Sequence, residues 1–189
     1  MRRLLLALII IGGVLVFMGV QEYRLSKVAK AEPQTITCAQ LAARGPGDNA
    51  HVRLTDFAFT DNYIYQNRKR STEWKLAYVP AVPPRVKDLP AVRTVRVLIK
   101  STRARNEDQL YALGEGPLEG VVVNHISGLG SDERRLLKES YPDVDFDACW
   151  IIEAGKRPAS TGTLLGMIGG GGGLAVVAAG MLLMAAKRA

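Results

Sequence analysis

Histidine, cysteine, serine and carboxylate side chains are the ones that could do chemistry here, and they are few and scattered. The chain of 189 residues has two histidines, His51 and His125. Ser127 stands two residues after His125, and with a carboxylate the two could be drawn into a Ser-His-Asp group. No G-x-S-x-G elbow surrounds any serine to present it as a nucleophile. A histidine at the end of a strand reads more simply as structural. "DVDFD" puts Asp143, Asp145 and Asp147 on one side of an extended segment, where oxygen ligands could hold a divalent cation. The segment lacks the glycine and closing glutamate of an EF-hand loop, and a solvated lead-in to a strand is the plainer reading. His125, Asp145 and Asp147 are therefore the nameable candidates if the chain is a membrane-anchored enzyme with a scattered site. No cofactor and no metal is expected.

Two cysteines, Cys38 and Cys149, bracket the middle of the chain. Their spacing fits neither a zinc site nor a redox CxxC pair. In an oxidising compartment they could form one disulfide joining the two ends of a domain. The alternative is a pair of buried free thiols. "EGPLEG" imitates a glycine-rich phosphate loop, but strand-like Leu118–Val123 follows it rather than a helix. "PAVP" meets the minimal PxxP pattern and reads as a rigid connector.

The elements that would hold these residues begin with two apolar stretches. Leu4–Val20 carries no charge and follows Arg2 and Arg3; Ala159–Ala186 carries none and precedes Lys187 and Arg188. About 20 apolar residues at 1.5 Å each cross about 30 Å of hydrocarbon. A small-x-small site, Ala29-Lys30-Ala31, lies too far past the first stretch for a signal peptidase site, so an uncleaved anchor is expected. Five consecutive glycines, Gly169–Gly173, sit inside the second stretch. No lysine follows to make a phosphate loop, and no polar residues surround them as in a linker. Gly162, Gly166 and Gly170 are spaced by four, as are Gly169 and Gly173, the small-xxx-small pattern that lets another helix approach. That face could pack on Leu4–Val20, where Gly12 and Gly13 offer a small patch, or on a second copy.

Between the spans, 22–34 reads as a polar stalk and 35–155 as a β-rich domain; 1–21 is the anchor and 156–189 the glycine-rich span with its basic tail. Thr37 with Gln40 is a capping box before a short helix, stopped by Gly45. "HVRLT", "YIYQ", "EWKLAYV", "VRTVRVLIK", "LEGVVVN" and "DACWIIEA" read as strands, the second and third joined by the basic turn "NRKRST". "RNEDQLYAL" and "DERRLLKES" read as helices, the latter capped by Ser131. Val95, Val97 and Ile99 are expected on one strand face. "PAVPPRVKDLP" is expected to leave the sheet for polyproline geometry. The fold class is α+β: two membrane helices flanking a small, mostly antiparallel barrel-like domain, OB-like in its order of elements.

The net charge of +7 is juxtamembrane. Nine basic residues against Glu22 and Glu32 flank the spans, whereas 33–155 carries 16 basic and 16 acidic side chains. That suits anionic headgroups rather than nucleic acid. Within the domain, residues 44–105 have 13 basic and 5 acidic groups and residues 106–155 have 3 and 11. If those halves form separate faces, the domain is a strong dipole; if they interleave, the charges pair across strands.

The arrangement of span, small β-rich domain and span resembles the membrane-bound ubiquitin ligases that carry a "beside a membrane" domain. The RING cysteines of those enzymes are absent, so their activity does not carry over. "RGPGDNAHVRLTDF" followed by "YVPAVP" is similar to uncharacterised bacterial two-span membrane proteins, a resemblance that brings no activity. The expected protein is non-enzymatic. It sits in membrane lipid, a bacterial inner membrane, with the domain in the periplasm. There it binds a membrane-protein partner or assembles as a homo-oligomer.

Overall fold

The computed structural model describes residues 2–84, 95–124 and 128–187. It divides into two compact units, Met1–Lys27 with Ala159–Ala189, and Val28–Pro158. The first unit is helical. Helix α1 spans Arg2–Val28. The second helix starts as α5 (Thr161–Leu165), widens to a π turn at Gly166–Gly170 and continues as α6 (Gly171–Lys187). Ser160 caps it, its hydroxyl accepting from the Thr163 N–H at 3.2 Å. Both helices are long and apolar enough to cross a membrane. The stretch read as a stalk divides: 22–28 continues α1, because Glu22, Arg24 and Lys27 are good helix formers, while Lys30, Glu32 and Gln34 are hydrogen-bonded into the domain.

The second unit is a curled mixed sheet of eight strands. These are β1 (Gln34–Thr37), β2 (His51–Thr55), β3 (Ala58–Phe59), β4 (Ile64–Asn67), β5 (Trp74–Val82), β6 (Val97–Ser101), β7 (Leu118–Val122) and β8 (Trp150–Ala154). Their order is β1-β2-β7-β8-β6-β5-β3, with β4 also on β5. The pairings β1·β2 and β6·β8 are parallel and the other five antiparallel. Chain from β6 therefore passes through α3 (Glu107–Ala112), β7 and α4 (Ser131–Ser140) before returning beside it as β8.

Local sequence explains most of these elements. Helix α2 (Cys38–Arg44) has its full capping box, Thr37 with Gln40, and ends at Gly45. Gly45 has φ 71°, and a Cβ there would stand 2.5 Å from the Trp150 ring, so backbone and packing both require glycine. The beginning of the proline-rich stretch departs from expectation, because β5 runs through Pro80 to Val82, while 85–90 lie outside the described residues. Pro80 falls between the β4 and β3 pairings, where its missing N–H is not needed, and its carbonyl accepts from the Thr60 N–H at 3.1 Å. Helix α4 also differs: Gly130 is its N-cap without a side-chain bond, and Ser131 is the first helical residue.

Two apolar layers cover the sheet. Leu98 and Ile151 pair in register, and their face meets Leu137 of α4, Tyr141, Phe146 and Cys149. Val95 lies in this layer, before β6 begins, and so is separated from Val97 and Ile99. On the other face Val97 pairs with Trp150, and α2 packs there against β5 and β6.

Candidate functional site: the helix seam and the root of the domain

In the helical unit the buried positions recur every seven residues. They are Leu5, Gly12 and Gly19 on α1, and Leu164, Gly171 and Ala178 on the second helix, while Leu25, also buried on α1, falls outside the repeat. A Cβ on Gly12 would stand 2.6 Å from the Gly171 carbonyl oxygen and 3.0 Å from Ala175 Cβ. A Cβ on Gly171 would meet Leu15 Cβ at 2.8 Å, and one on Gly19 would meet Ile168 at 2.7 Å. Residue numbers rise along one helix as they fall along the other, so the helices are antiparallel. The period of seven is that of a left-handed two-helix seam. Missing side chains at Gly12 and Gly171 let the two backbones touch, the device that packs helices where lipid gives no hydrophobic gain.

The glycines named from sequence divide against this seam. Around Gly166, Gly169, Gly170 and Gly173 an added Cβ meets nothing within 4 Å, and at Gly162 only Ser160 Oγ at 3.9 Å. Gly13 is likewise open. The four-residue spacing does not mark the contact with α1, which Gly12, Gly19 and Gly171 form. Gly162, Gly166, Gly169, Gly170 and Gly173 face away from α1. The seven-residue repeat of 5-12-19 was legible in the sequence and would have identified the seam.

The root of the domain, where its chain leads to the two helices, is organised by Asn49 and His51. Asn49 Oδ1 accepts from the Lys30 N–H at 2.9 Å and the His51 N–H at 3.0 Å, and its Nδ2 donates to Glu32 O at 2.9 Å. Gln34 Nε2 donates to Pro46 O and to Asn49 O. His51 is 1% exposed. Its Nδ1 lies 3.0 Å from Lys30 O, an atom that only accepts, so Nδ1 is the donor there. Nε2 has no hydrogen-bond partner and lies 3.4 Å from Glu119 Oε1.

Glu119 in turn takes Arg157 Nε at 3.1 Å and faces Arg53 at 3.7 Å. Burial pushes the Glu119 carboxyl up, but Arg157 and His51 outweigh it and hold it below the ordinary glutamate value. The stretch after α1 is thus tied to β2 through Lys30, and the stretch before α5 to β7 through Arg157. His51 and Glu119 connect the two ties. Sequence reading placed His51 at a strand end without this partner and missed Asn49, whose role depends on chain 17–19 residues away.

The remaining candidates are dispersed. His125 and Ser127 lie outside the described residues. Asp145 accepts from the Asp147 N–H at 3.0 Å, closing the 3-10 turn Phe146–Ala148, and Asp147 pairs with Arg134 at 2.9 Å. Among the described residues no three His, Cys, Asp or Glu side chains gather as metal ligands. Cys38 and Cys149 are free and buried. Cys38 Sγ donates to Ala81 O at 3.7 Å on the α2 side, and Cys149 Sγ to Val95 O at 3.3 Å in the opposite layer. The sheet lies between them, so the bridge that their spacing allows is not formed. Burial pushes both thiols up to about 12, the reverse of an activated cysteine.

The basic and acidic halves of the domain interleave in part. Lys100 pairs with Glu153 at 3.4 Å across the parallel β6·β8 pair, and Arg53 faces Glu119 across β2·β7. Comparison with models of known protein families, with curated proteins and with solved structures gives no match for this chain.

Proposed function

We propose that the chain is an integral membrane protein, anchored by an antiparallel helix hairpin, whose β-rich domain binds a partner or assembles at the membrane surface without catalysing a reaction. The observation that carries this reading is the one-sidedness of the seam. Burial uses one stripe of each helix and leaves Leu4, Leu6, Ile10, Ile11, Val14 and Phe17 exposed on α1, with Leu165, Val176, Val177, Met181 and Leu183 exposed on the second. So large an apolar surface needs lipid or another apolar helix to cover it. The domain's curled sheet is the barrel-like, OB-like platform of this reading. Arg2 and Arg3 resist translocation, so both termini are cytoplasmic and the domain periplasmic in a bacterial inner membrane. The outward glycines Gly162, Gly166, Gly169, Gly170 and Gly173 are the surface on which a second copy or a membrane-protein partner packs. Extraction of native membranes with alkaline carbonate tests the anchor: the full chain stays in the pellet, and release into the supernatant sinks the reading. Co-purification from mild detergent, with Gly166→Leu/Gly170→Leu as the comparison, tests the partner surface.

A further inference from the structure

The β4–β5 hairpin gathers three consecutive cations at one exposed tip. Arg68, Lys69 and Arg70 at its tip are exposed, and Lys75 follows on β5. Elsewhere Lys100 has Glu153, Arg53 and Arg157 have Glu119, and Arg134 has Asp147. Among the described residues the three tip cations have no ion pair. The tip is nevertheless ordered by its own bonds: Arg68 N–H donates to Glu73 O at 2.9 Å, Ser71 N–H to Arg68 O at 3.2 Å, and Glu73 N–H to Ser71 Oγ at 3.0 Å. Arg70 holds φ 60°, a conformation that favours glycine. Beside the tip Tyr65, 50% exposed, stacks on Trp74 with centroids 4.6 Å apart. An amphipathic aromatic next to lysine and arginine is the composition found at headgroup level.

The place of the hairpin in the sheet gives this chemistry a direction. Trp74 N–H donates to Arg105 O at 2.9 Å, and Arg103 Nη2 donates to Gly155 O at 2.7 Å. The hairpin therefore leaves the sheet at the same end as β8, which continues through Gly155 to α5. Only residues 156–160 separate Gly155 from Thr161, six steps or at most about 21 Å of extended chain. Beyond the Asn67–Trp74 pair the chain turns back through 68–73, closed by the Arg68 N–H to Glu73 O bond, so the tip projects on the order of 8 Å past Trp74. The tether is thus short, and the tip can meet the surface when the tether is not fully extended.

We infer that the Arg68–Arg70 tip, with Tyr65, docks on anionic phospholipid headgroups of the bilayer that holds the two helices. This rests on the membrane reading above. Each cation at an anionic surface raises the docked fraction about fivefold, so the three together set a ratio on the order of 100-fold.

The test uses the full chain in nanodiscs of phosphatidylcholine alone or with about 30% phosphatidylglycerol, near the anionic content that makes such surfaces attractive to basic segments. A fluorophore goes on Ser71→Cys, with the chain lacking that substitution as the labelling control, and quenching by headgroup-nitroxide lipid is read. Strong quenching is expected only with phosphatidylglycerol, lost at high salt. It should also be lost in Arg68→Gln/Lys69→Gln/Arg70→Gln, with the docked ratio falling about 100-fold. It should persist in Arg135→Gln/Lys138→Gln on α4. Equal quenching on both lipids, or quenching that survives the triple substitution, overturns the docking. So does a tip shielded only by an added acidic protein or nucleic acid. Carbonate resistance of the same samples is scored separately: resistant but unquenched protein overturns the docking alone, whereas extracted protein overturns the anchor.

Discussion

Glu119 is the residue on which the root of the domain turns, because Arg157, Arg53 and His51 all face its carboxylate. With its folded value held below the ordinary 4.5, the native state binds fewer protons than the unfolded chain near that pH. The stabilisation is therefore complete above about pH 4.5 and is lost as pH falls through the lower folded value. Glu119→Gln should cost about 1 kcal/mol at neutral pH, since the cluster is partly solvated, and the gap from wild type should close in acid. Denaturant melts at pH 7 and pH 3.5 check this; an equal gap at both would mean that the carboxylate charge is not what binds the root. The thiols give a second measurement at this scale. Cys38 and Cys149 should ignore maleimide in the native protein at pH 8 and both react once it is unfolded without reductant. One label or none after unfolding would show a bridge that needs the sheet to open. Their types and positions were plain in the sequence, but which face of which strand each would meet was not. That depends on β6 and β8 becoming parallel neighbours 53 residues apart.

At the scale of elements, capping and strand patterns read correctly wherever the stabilising partner lies within a few residues, as with Thr37–Gln40 and the β4–β5 hairpin. Readings failed where the partner is distant. β1 gave no signal because its four residues pair with β2 through tertiary register. Pro80 stays in β5 only because the break between β4 and β3 falls opposite it. The glycine run attracted attention by its length, whereas single glycines spaced by seven make the contact. A substitution contrast follows. Gly12→Val puts its Cβ 2.6 Å from the Gly171 oxygen, and since backbone cannot rotate away, the seam must open. Gly166→Leu/Gly170→Leu adds bulk to open surface. Crosslinking between Leu5→Cys and Ala178→Cys, which the repeat places opposite each other, should be abolished by the first and kept by the second. Crosslinking retained in Gly12→Val would mean the helices are held together by something other than this layer.

For the whole molecule, the chain enters the domain from one apolar helix and leaves it into another. Each joint is fixed by hydrogen bonds on the domain side, Val28 O to the Ala50 N–H at 2.6 Å and Glu119 O to the Gly155 N–H at 2.7 Å. If both helices cross the membrane as proposed, antiparallel spans would put the two chain ends on one side and the intervening domain on the other, whichever way the hairpin inserts. That geometric consequence is separable from orientation. A reporter pair fused before Met1 and after Ala189 should give the same compartment for both termini, and a protease applied from the domain side should cut between the spans. Opposite compartments for the two ends would mean that only one helix crosses. By charge the flanks nearly balance, Arg2, Arg3, Lys187 and Arg188 on the terminal side against Arg24, Lys27, Lys30, Lys156 and Arg157 on the domain side, so the count alone favours neither orientation strongly. The proposed cytoplasmic placement of both ends therefore rests on Arg2 and Arg3 beside the first span resisting translocation. Arg2→Glu/Arg3→Glu should therefore invert or mix the topology, moving a substantial share of the Ala189 reporter to the outside. If the reporter stays wholly cytoplasmic in that variant, Lys187 and Arg188 set the orientation instead, and the second span, not the first, is the one that inserts decisively.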